Sequence, residues 1–128
     1  MSEFSLRARA QSFVDAGRGI AALLANEPNA RIHLVATIAV IALGAWLGLS
    51  ASEWCWIALA IALVWVAEAL NSALEALADA VHPARDARIG RAKDLAAGAV
   101  LVAAVAAAVI GVLLFGPRLF ARLYAITS

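Results

Sequence analysis

The chain has 128 residues, of which 65% are hydrophobic, and its formal net charge is +1. That apolar share exceeds what an ordinary soluble domain carries, and the near-neutral charge gives no case for a nucleic-acid partner. The single cysteine, Cys55, excludes an internal disulfide and a cysteine metal site. The composition therefore predicts one integral membrane domain over residues 1–128.

The first predicted element is a surface helix over residues 4–25. Apolar or small residues recur at helical spacing on one face, at Leu6, Ala10, Phe13, Gly17, Ile20 and Leu24. The opposite face carries Arg7, Gln11, Asp15 and Arg18. An amphipathic helix of this kind lies in the interface between lipid and water. The sequence NEPN at residues 26–29 then breaks the helix and turns the chain into the first membrane span.

Three apolar runs follow, at residues 34–50, 54–79 and 95–115, and each has about the length that a transmembrane helix needs. Only residues 51–53 separate the first two runs, so we expect a tight antiparallel hairpin there. Trp46, Trp54 and Trp56 lie near that turn, as aromatic residues at a membrane interface do. We therefore predict an all-α membrane protein with three transmembrane helices and one surface helix.

The positive charges orient these helices. Most fall on the side of the N-terminus and of the loop after the second span: Arg7, Arg9, Arg18, Arg31, Arg85, Arg88, Arg91 and Lys93. Only Arg118 and Arg122 fall on the other side. Short loops rich in Lys and Arg stay in the cytoplasm. We therefore expect a cytoplasmic N-terminus and an external C-terminus.

A stripe of polar residues interrupts the second span. At about 100° of rotation per residue, its members fall within an arc of about 100°; they are Glu68, Asn71, Ser72, Glu75 and Asp79. We expect the stripe to face the interior of the bundle, because charged side chains inside a membrane are costly and mark functional sites. The alternative is a polar clamp that only pairs helices.

The depth of the stripe suggests two chemical roles. Glu75 is expected near the inner membrane boundary, and Glu68 about 10 Å deeper at the helical rise. Carboxylates at the water end suit Mg²⁺, a hard cation that takes oxygen ligands, while a deeper, partly desolvated carboxylate suits general-base catalysis. No Lys or Arg lies between Arg31 and Arg85, so a metal, or a base from another segment, must compensate these charges.

A second chemical segment, RIGRAKDLAAGAV, precedes and enters the third span at residues 88–100. Arg88 and Arg91 are either positive anchors or part of the site. Lys93 is expected at the start of a helix, where a lysine beside free N–H groups makes a phosphate site, and the adjacent Asp94 can fix it. The chain lacks GxxxxGK[ST] and GxGxxG, so any nucleotide site is neither a P-loop nor a Rossmann site.

The sequence EALNSALEALAD followed by AKDLAAGAV resembles the signature of the prokaryotic diacylglycerol kinase family of small integral membrane lipid kinases. The resemblance also takes in SFVDAGRGI, NEPNARIHL and FGPRL, and so extends over most of the chain. It implies a homotrimer of three-span protomers, with active sites shared between protomers at the cytoplasmic face of the bacterial inner membrane. The implied reaction is Mg²⁺-dependent transfer of the γ-phosphate of ATP to a lipid alcohol.

The resemblance assigns catalytic and metal roles at matching positions. Glu68 is similar to the catalytic base that takes the proton of the lipid hydroxyl, and so also contacts the substrate. Asn71 is similar to a polar catalytic partner of that base. Glu27 and Glu75 are similar to the carboxylates that hold Mg²⁺ on the ATP phosphates, and so count among the ATP-binding residues.

The remaining matched positions bind or support. Lys93 and Asp94 are similar to the pair that binds the nucleotide phosphates. Arg31 matches a basic position near the substrate entrance. Asp79 matches the last acid of the signature, and Ser72 the small hydroxyl residue within it; both are expected to support the site. Phosphoryl transfer depends mainly on positioning and charge neutralisation, so a short set of such groups suffices.

The lipid is left open between undecaprenol and diacylglycerol. AGRGI, RIHL and KDLAAGAV are more similar to the undecaprenol branch of the family. The diacylglycerol branch has an acid where His33 stands and an aromatic residue where Asp15 stands. These departures argue against a lipid or nucleotide role for either residue, and we expect His33 to lie at the membrane interface. We expect His82 to cap a loop, with an approach to the nucleotide as the alternative.

Two other functions are compatible with the pattern. One is a small oligomeric channel or proton-coupled transporter that uses Glu68 and Glu75 as ion sites. The other is a structural or regulatory membrane subunit in which the stripe only pairs helices. The Lys93–Asp94 pair beside aligned carboxylates favours a kinase over both, with ATP, a lipid alcohol and membrane lipids as partners.

Overall fold

The computed structural model describes residues 5–82, 84 and 86–127, and these form four helices. The helices are α1 (Leu6–Asn26), α2 (Pro28–Leu47), α3 (Ala51–Val81) and α4 (Ala87–Thr127). By length and composition α2, α3 and α4 are each able to cross a membrane. The prediction of an all-helical chain with three membrane-spanning helices is confirmed.

A sharp corner at Glu27 joins α1 to α2. Ser5 caps α1, where its hydroxyl accepts the Ala8 N–H at 3.4 Å, and Phe4 of the predicted 4–25 helix lies outside the described residues. Glu27 is extended, at φ −103° and ψ 114°, and Pro28 follows at the first position of α2. Proline suits that position because its missing N–H has no partner there. The second helix therefore begins at Pro28 rather than at the predicted Leu34.

A three-residue turn separates α2 from α3. Gly48 has φ 68°, a left-handed conformation that favours glycine. The N–H of Gly48 donates to the Ala45 carbonyl at 3.3 Å, and the N–H of Leu49 donates to Gly44 at 3.2 Å, which is a Schellman motif. These bonds end α2 at Leu47, not at Ser50 as predicted.

A capping box starts α3 earlier than expected. The Ser50 hydroxyl accepts the Glu53 N–H at 3.4 Å, and the Glu53 carboxylate accepts the Ser50 N–H at 2.8 Å. The predicted turn at residues 51–53 is therefore wrong, since these residues form the first turn of α3. The helix also extends past the predicted end at Asp79 to Val81, where His82 N–H donates to Ala78 O at 2.9 Å.

The last helix is the largest departure from the prediction over residues 95–115. It contains 41 residues, which at the helical rise is about 60 Å, roughly twice the thickness of the hydrocarbon layer. Asp86 starts it by accepting the Arg88 N–H at 2.7 Å, and hydrogen bonds from the Arg88 side chain lower the pKa of the Asp86 carboxyl. The segment that carries Lys93 is thus helical and continuous with the span.

The helices share a small core near the α2–α3 turn, formed by Leu47, Leu49, Ile57 and Phe115. The backbone of Gly44 lies so close to the Trp54 ring that an added Cβ would be 2.9 Å from it. α3 and α4 form the most extensive of the helix pairs. Many large apolar side chains on the three long helices stay exposed, as lipid-facing residues do.

Arginines of α4 close the same end of the bundle. Arg118 donates to Glu53 Oε2 at 2.6 Å and to the carbonyl oxygen of Gly48 at 3.3 Å. The Arg122 guanidinium lies 4.8 Å from the centre of the Trp46 ring. The two arginines of the predicted external side therefore lie beside the α2–α3 turn. Arg85 of the predicted cytoplasmic side lies outside the described residues.

Candidate functional site

The polar stripe of α3 passes from a buried to an exposed environment. Glu68 is only 1% exposed, although it carries a carboxylate. Asn71, Ser72 and Glu75 are half-buried, and Asp79 is exposed. The prediction that the stripe faces the bundle interior holds for its deep part, but it is wrong for Asp79, which lies beyond the packed part of the bundle.

The buried carboxylate of Glu68 faces a histidine on another helix. Nε2 of His33 on α2 lies 3.6 Å from Oε2 of Glu68, and the His33 side chain is 18% exposed. His33 is thus mostly buried against α3, while its position relative to the membrane interface stays a prediction. Ala30 and Thr37 share its face of α2, where Ala30 is fully buried and Thr37 accepts the Trp65 indole N–H at 3.0 Å. This face of α2 packs on α3, and the packing places His33 next to Glu68.

One sequence signal points to this pairing. His33 is the only residue of α2 after Arg31 with a titratable side chain. The two buried charges of α3 were expected to need a base from another segment if no metal compensated them. His33 is the first residue of α2 after Arg31 that could serve as that base.

Three side-chain oxygens on one face of α3 are buried and have no hydrogen-bond partner within the described part of the chain. They are Glu68 Oε2, Asn71 Oδ1 and Ser72 Oγ. Their positions i, i+3 and i+4 adjoin on a helix surface. Such atoms are costly to bury unpaired and are uncommon in native proteins. The cluster therefore has the properties of a site that is completed by a bound group.

The amide of Asn71 also links the stripe to Glu75. Asn71 Nδ2 donates to Glu75 Oε1 at 3.1 Å. This bond orients the carboxylate while the amide oxygen of Asn71 stays unpaired. Glu75 therefore has a hydrogen-bond donor in its own helix, but the neutral amide leaves its negative charge uncompensated.

Glu27 lies at the corner between α1 and α2, beside the stripe. It lines a cleft of about 430 Å³ together with Ser72 and Ala76 of α3 and with residues of α1. Among the described residues, no group of three or more His, Cys, Asp or Glu could hold a metal ion alone. Mg²⁺ does not need one, because it is commonly held by one or two carboxylates and the phosphates of a substrate. Glu27 lines this cleft, Glu75 lies about one turn beyond Ser72 on α3, and carboxylates are the oxygen donors that such an ion takes.

Lys93 contacts a different acid from the expected one. Its Nζ donates to Asp79 Oδ1 at 2.5 Å, from α4 to α3. The expectation that Asp94 fixes Lys93 is wrong, because consecutive helix residues do not face each other; Asp94 is exposed. The expected helix start at Lys93 is also wrong, since α4 begins at Ala87 and the free N–H groups lie almost two turns away.

A cleft of about 510 Å³ opens where Lys93 and Asp79 meet. It is bounded by the end of α3 and the start of α4, and His82 and Asp86 also line it. His82 thus lies on the same cleft as Lys93, besides ending α3 through its backbone. Its position agrees with both roles considered from sequence.

Arg31 has a structural contact within the same corner. Its Nε donates to the Leu24 carbonyl at 2.9 Å, and its Nη2 donates to the carbonyl of Ala25. These are orphan carbonyl groups at the end of α1. Arg31 therefore fixes α1 against α2, next to Glu27.

An apolar groove of about 580 Å³ runs between α2, α3 and α4. It starts at His33 and passes Val64 and Ala104 towards Phe115 and Leu119 near the other end of the bundle. Its lining is almost entirely aliphatic or aromatic. The groove thus joins the middle of the bundle to the histidine that faces Glu68.

The sequence model for prokaryotic diacylglycerol kinase matches residues 15–115 of the chain. The chain belongs to the prokaryotic diacylglycerol kinase family. The match contains every residue of the candidate site from Glu27 to Asp94. It therefore covers the α1–α2 corner, the stripe and the start of α4 together.

Individual members of the prokaryotic diacylglycerol kinase family show the same relationship. The undecaprenol kinase of Bacillus subtilis strain 168 is 41% identical over 109 residues, which are 85% of this chain and 89% of that protein. The diacylglycerol kinase of a Synechocystis species is 39% identical over 109 residues, 84% of this chain and 62% of that protein. The diacylglycerol kinase of Escherichia coli strain K12 is 33% identical over 92 residues, 72% of this chain and 75% of that protein.

Membership of the prokaryotic diacylglycerol kinase family confirms two predictions made from sequence. The protein is an enzyme of the lipid-kinase class, and it is a membrane protein, as its three apolar helices also indicate. The names of these relatives lend no support to a channel or a transporter.

Proposed function

We propose that the protein transfers the γ-phosphate of ATP to the hydroxyl group of a membrane lipid alcohol. The observation that carries this proposal is the cluster of unpartnered oxygens at Glu68, Asn71 and Ser72, which lies inside a membrane-spanning helix. A soluble substrate does not reach such a depth easily, whereas the hydroxyl of a lipid does. The apolar groove that ends at His33 supplies space for hydrocarbon beside the same cluster.

Glu68 is proposed as the general base. The lipid oxygen forms a bond to the γ-phosphorus while the bond from phosphorus to the bridging oxygen of ADP breaks, and the hydroxyl proton passes to the Glu68 carboxylate. Burial of Glu68 keeps water from competing for the phosphoryl group. The amide oxygen of Asn71 and the hydroxyl of Ser72 are proposed to orient the acceptor from the neighbouring positions of α3.

Glu27 and Glu75 are proposed to hold Mg²⁺ with the ATP phosphates. When bound, the ion neutralises charge on the transferring phosphate. Glu75 is kept in one orientation by the Asn71 amide, and Glu27 is held at the corner that Arg31 fixes. The site thereby joins the base, deep in α3, to a metal position closer to the water.

Lys93 and Asp94 are proposed to bind the nucleotide from α4. Lys93 carries the positive charge that phosphates attract, and Asp79 holds it over the cleft between α3 and α4. Arg31 stays a candidate for contact with the lipid headgroup, besides its bonds to the end of α1. Phosphate groups in this cleft would lie on the water side of the stripe, opposite the buried end at Glu68.

The relatives suggest two lipid classes for the acceptor. The Bacillus subtilis relative is named an undecaprenol kinase, and those of Synechocystis and Escherichia coli are named diacylglycerol kinases. Both classes present one hydroxyl on a long apolar body, and the groove between α2, α3 and α4 has room for the part of that body next to the hydroxyl. We propose a polyprenol or a diacylglycerol as the substrate.

The assembly and orientation are part of the same proposal. We propose a homotrimer in the bacterial inner membrane, with the N-terminus cytoplasmic, α1 as an amphipathic helix on the cytoplasmic surface, and active sites shared between protomers. The open groove and the exposed α4 surface leave apolar area for neighbouring protomers. Light scattering of the purified protein in mild detergent measures the oligomeric state.

A phosphorylation assay tests the proposed activity. Purified protein receives labelled ATP and Mg²⁺, with undecaprenol and diacylglycerol offered in separate reactions. We expect label in at least one lipid, lost when the metal is chelated, and lost in Glu68→Gln. Absence of label in both lipids, from a preparation that is folded by thermal unfolding, would contradict the proposal. Label that persists after chelation would contradict the metal role alone.

A further inference from the structure

The imidazole of His33 faces the buried carboxylate of Glu68 across the α2–α3 interface. The distance from His33 Nε2 to Glu68 Oε2 is 3.6 Å, and the side chains are 18% and 2% exposed. This oxygen of Glu68 has no hydrogen bond within the described part of the chain. A ring nitrogen is therefore aimed at an acceptor that lacks a partner, at a separation slightly longer than a hydrogen bond.

Within the described part of the chain, the clefts beside His33 contain no other basic side chain. The α4 residues on the cleft beside His33 are aliphatic: Ala97, Val100, Leu101 and Ala104. The α3 residues that line the groove with His33 are also aliphatic: Ile57, Ala60, Ile61 and Val64. From α2 come only the amide of Asn29 and the hydroxyl of Thr37, which already accepts the Trp65 N–H.

The other charged groups near this part of the bundle are engaged elsewhere or lie on other clefts. Glu75 accepts a hydrogen bond from Asn71, one turn along α3. Glu27 lines the α1–α3 cleft with Ser72, where α1 presents small and apolar residues and Asn26. Among the described residues, His33 is the only basic group within ion-pairing distance of the Glu68 carboxylate.

We propose that His33 is the positioning residue of the catalytic base, an inference that rests on the proposed kinase function. Nε2–H donates to Glu68 Oε2, which it can do both as the neutral Nε2–H tautomer and as the charged ring. The other carboxylate oxygen is then directed to the hydroxyl of the lipid. Catalytic hydrogen bonds are often long in a ligand-free protein and shorten in the complex, so the 3.6 Å contact closes when the substrate binds.

Glu68 needs a positioning residue because its carboxylate is buried. A buried charge without a partner is costly, and a carboxylate held by one oxygen has a defined direction, whereas a free one rotates. His33 offers a hydrogen-bond donor to the carboxylate from a second helix, and it leaves the stripe residues of α3 free to contact substrate. His33 does not itself touch the reacting atoms.

The test compares two replacements of His33 in the full-length protein. His33→Phe keeps a ring and removes the donor, and we expect the kcat for lipid phosphorylation to fall by about 10- to 100-fold, as misplaced catalytic groups do. The KM for Mg·ATP is expected to stay unchanged, because Lys93 and the proposed metal carboxylates lie elsewhere. His33→Gln restores an N–H donor, and it is expected to recover most of the lost kcat.

Thr37→Val is the matched control. Thr37 lies one turn after His33 on the same face of α2, and it makes the other polar contact from this face to α3, with Trp65 at 3.0 Å. Its loss should lower the thermal midpoint without a selective fall in kcat. If His33→Phe does not fold, His33→Leu makes the same comparison with a smaller side chain.

A double mutant separates positioning from structure. In a Glu68→Gln background, His33→Phe should add almost nothing to the loss, because two residues that act as one unit are not additive. Three results would overturn the inference: a wild-type rate in His33→Phe, no recovery in His33→Gln, or a full additional loss in the double mutant. Failure of the proposed function looks different, since the wild-type protein itself would then phosphorylate neither lipid.

Discussion

Lys93 Nζ and Asp79 Oδ1 are 2.5 Å apart and join the start of α4 to the end of α3. The pair bridges residues 14 positions apart in sequence, on either side of the loop that contains His82. The lysine is about one-third exposed and the aspartate about two-thirds, so the pair is open to water at its rim. The contact holds a positive charge at a defined place over the cleft between the two helices.

Asp79→Asn tests this contact. The variant keeps the shape of the side chain but releases Lys93, so we expect the KM for Mg·ATP to rise several-fold while kcat changes less. A pair this exposed contributes little to stability, so the thermal midpoint should move only slightly. Steady-state kinetics at varied ATP is the measurement. Asp15→Asn is the control, because it removes a carboxylate from an exposed pair with Arg18 on α1; an equal rise in KM there would remove Asp79 from the nucleotide site.

Glu68→Gln tests the base. The amide keeps the shape, loses the basicity and removes a costly buried charge, so we expect a folded protein at least as heat-stable as wild type that still binds Mg·ATP. Kinase activity should fall by about 10²- to 10⁴-fold, the usual contribution of general-base catalysis. Lipid phosphorylation, nucleotide binding and thermal unfolding are measured on one preparation. A turnover close to that of the wild type would indicate that the stripe only pairs helices.

Glu27→Gln and Glu75→Gln test the proposed metal carboxylates. Each should raise the Mg²⁺ concentration needed for half-maximal activity as well as lower turnover, because one ligand of the ion is weakened. Activity is titrated against Mg²⁺ at fixed ATP. Glu53→Gln is the matched control at the opposite end of α3, where the carboxylate pairs with Arg118. An unchanged Mg²⁺ requirement in Glu75→Gln would show that this carboxylate does not hold the ion.

Arg118→Gln tests the closure of the bundle at its other end. The arginine joins α4 to the capping box of α3 and to the carbonyl oxygens of Leu47 and Gly48. We expect a lower thermal midpoint but normal kinase kinetics at low temperature, because Glu68 lies about 20 Å away along α3. Arg18→Gln, in an exposed pair, should leave the midpoint near wild type. A loss of activity in Arg118→Gln protein that is fully folded would show that this end of the bundle contributes to catalysis.

The orientation in the membrane is tested by reporter fusions at Ser2 and Ser128. Three spans would place the two termini on opposite sides, and from the excess of arginine at the Lys93 end we expect the N-terminus in the cytoplasm. Reporters active only in the cytoplasm should therefore respond at Ser2 and stay silent at Ser128. Two responses on one side would contradict the three-span arrangement.

The membrane spans and the polar stripe are properties that the sequence by itself determined. Apolar length decides whether a helix crosses the bilayer, and a fixed rotation per residue places Glu68, Asn71 and Ser72 on one face before any tertiary contact forms. The motifs around the stripe and Lys93 also sufficed to identify the family. These inferences need only local rules, since each depends on residues within a few turns of one another.

The ends of the helices are harder to predict from the sequence, although the interactions that cause them are local. The capping box at Ser50 and Glu53 and the left-handed Gly48 are visible in the sequence, but an apolar run gives no sign of where its helix stops. α4 departs most from the prediction, because its charged first turns resemble a loop in the sequence. As a result, the sequence predicts a helix N-terminus at Lys93, whereas α4 begins almost two turns earlier.

Only the tertiary structure decided which groups meet across helices. Asp94 follows Lys93 directly, but helix rotation turns the two apart and brings Asp79 of α3 to the lysine instead. His33 and Glu68 lie on the two helices of a hairpin, and their contact depends on how α2 packs against α3, where Thr37 also accepts the Trp65 N–H. Packing of that kind is set by many side chains at once, so the partner of the buried carboxylate emerged only when the helices were placed together.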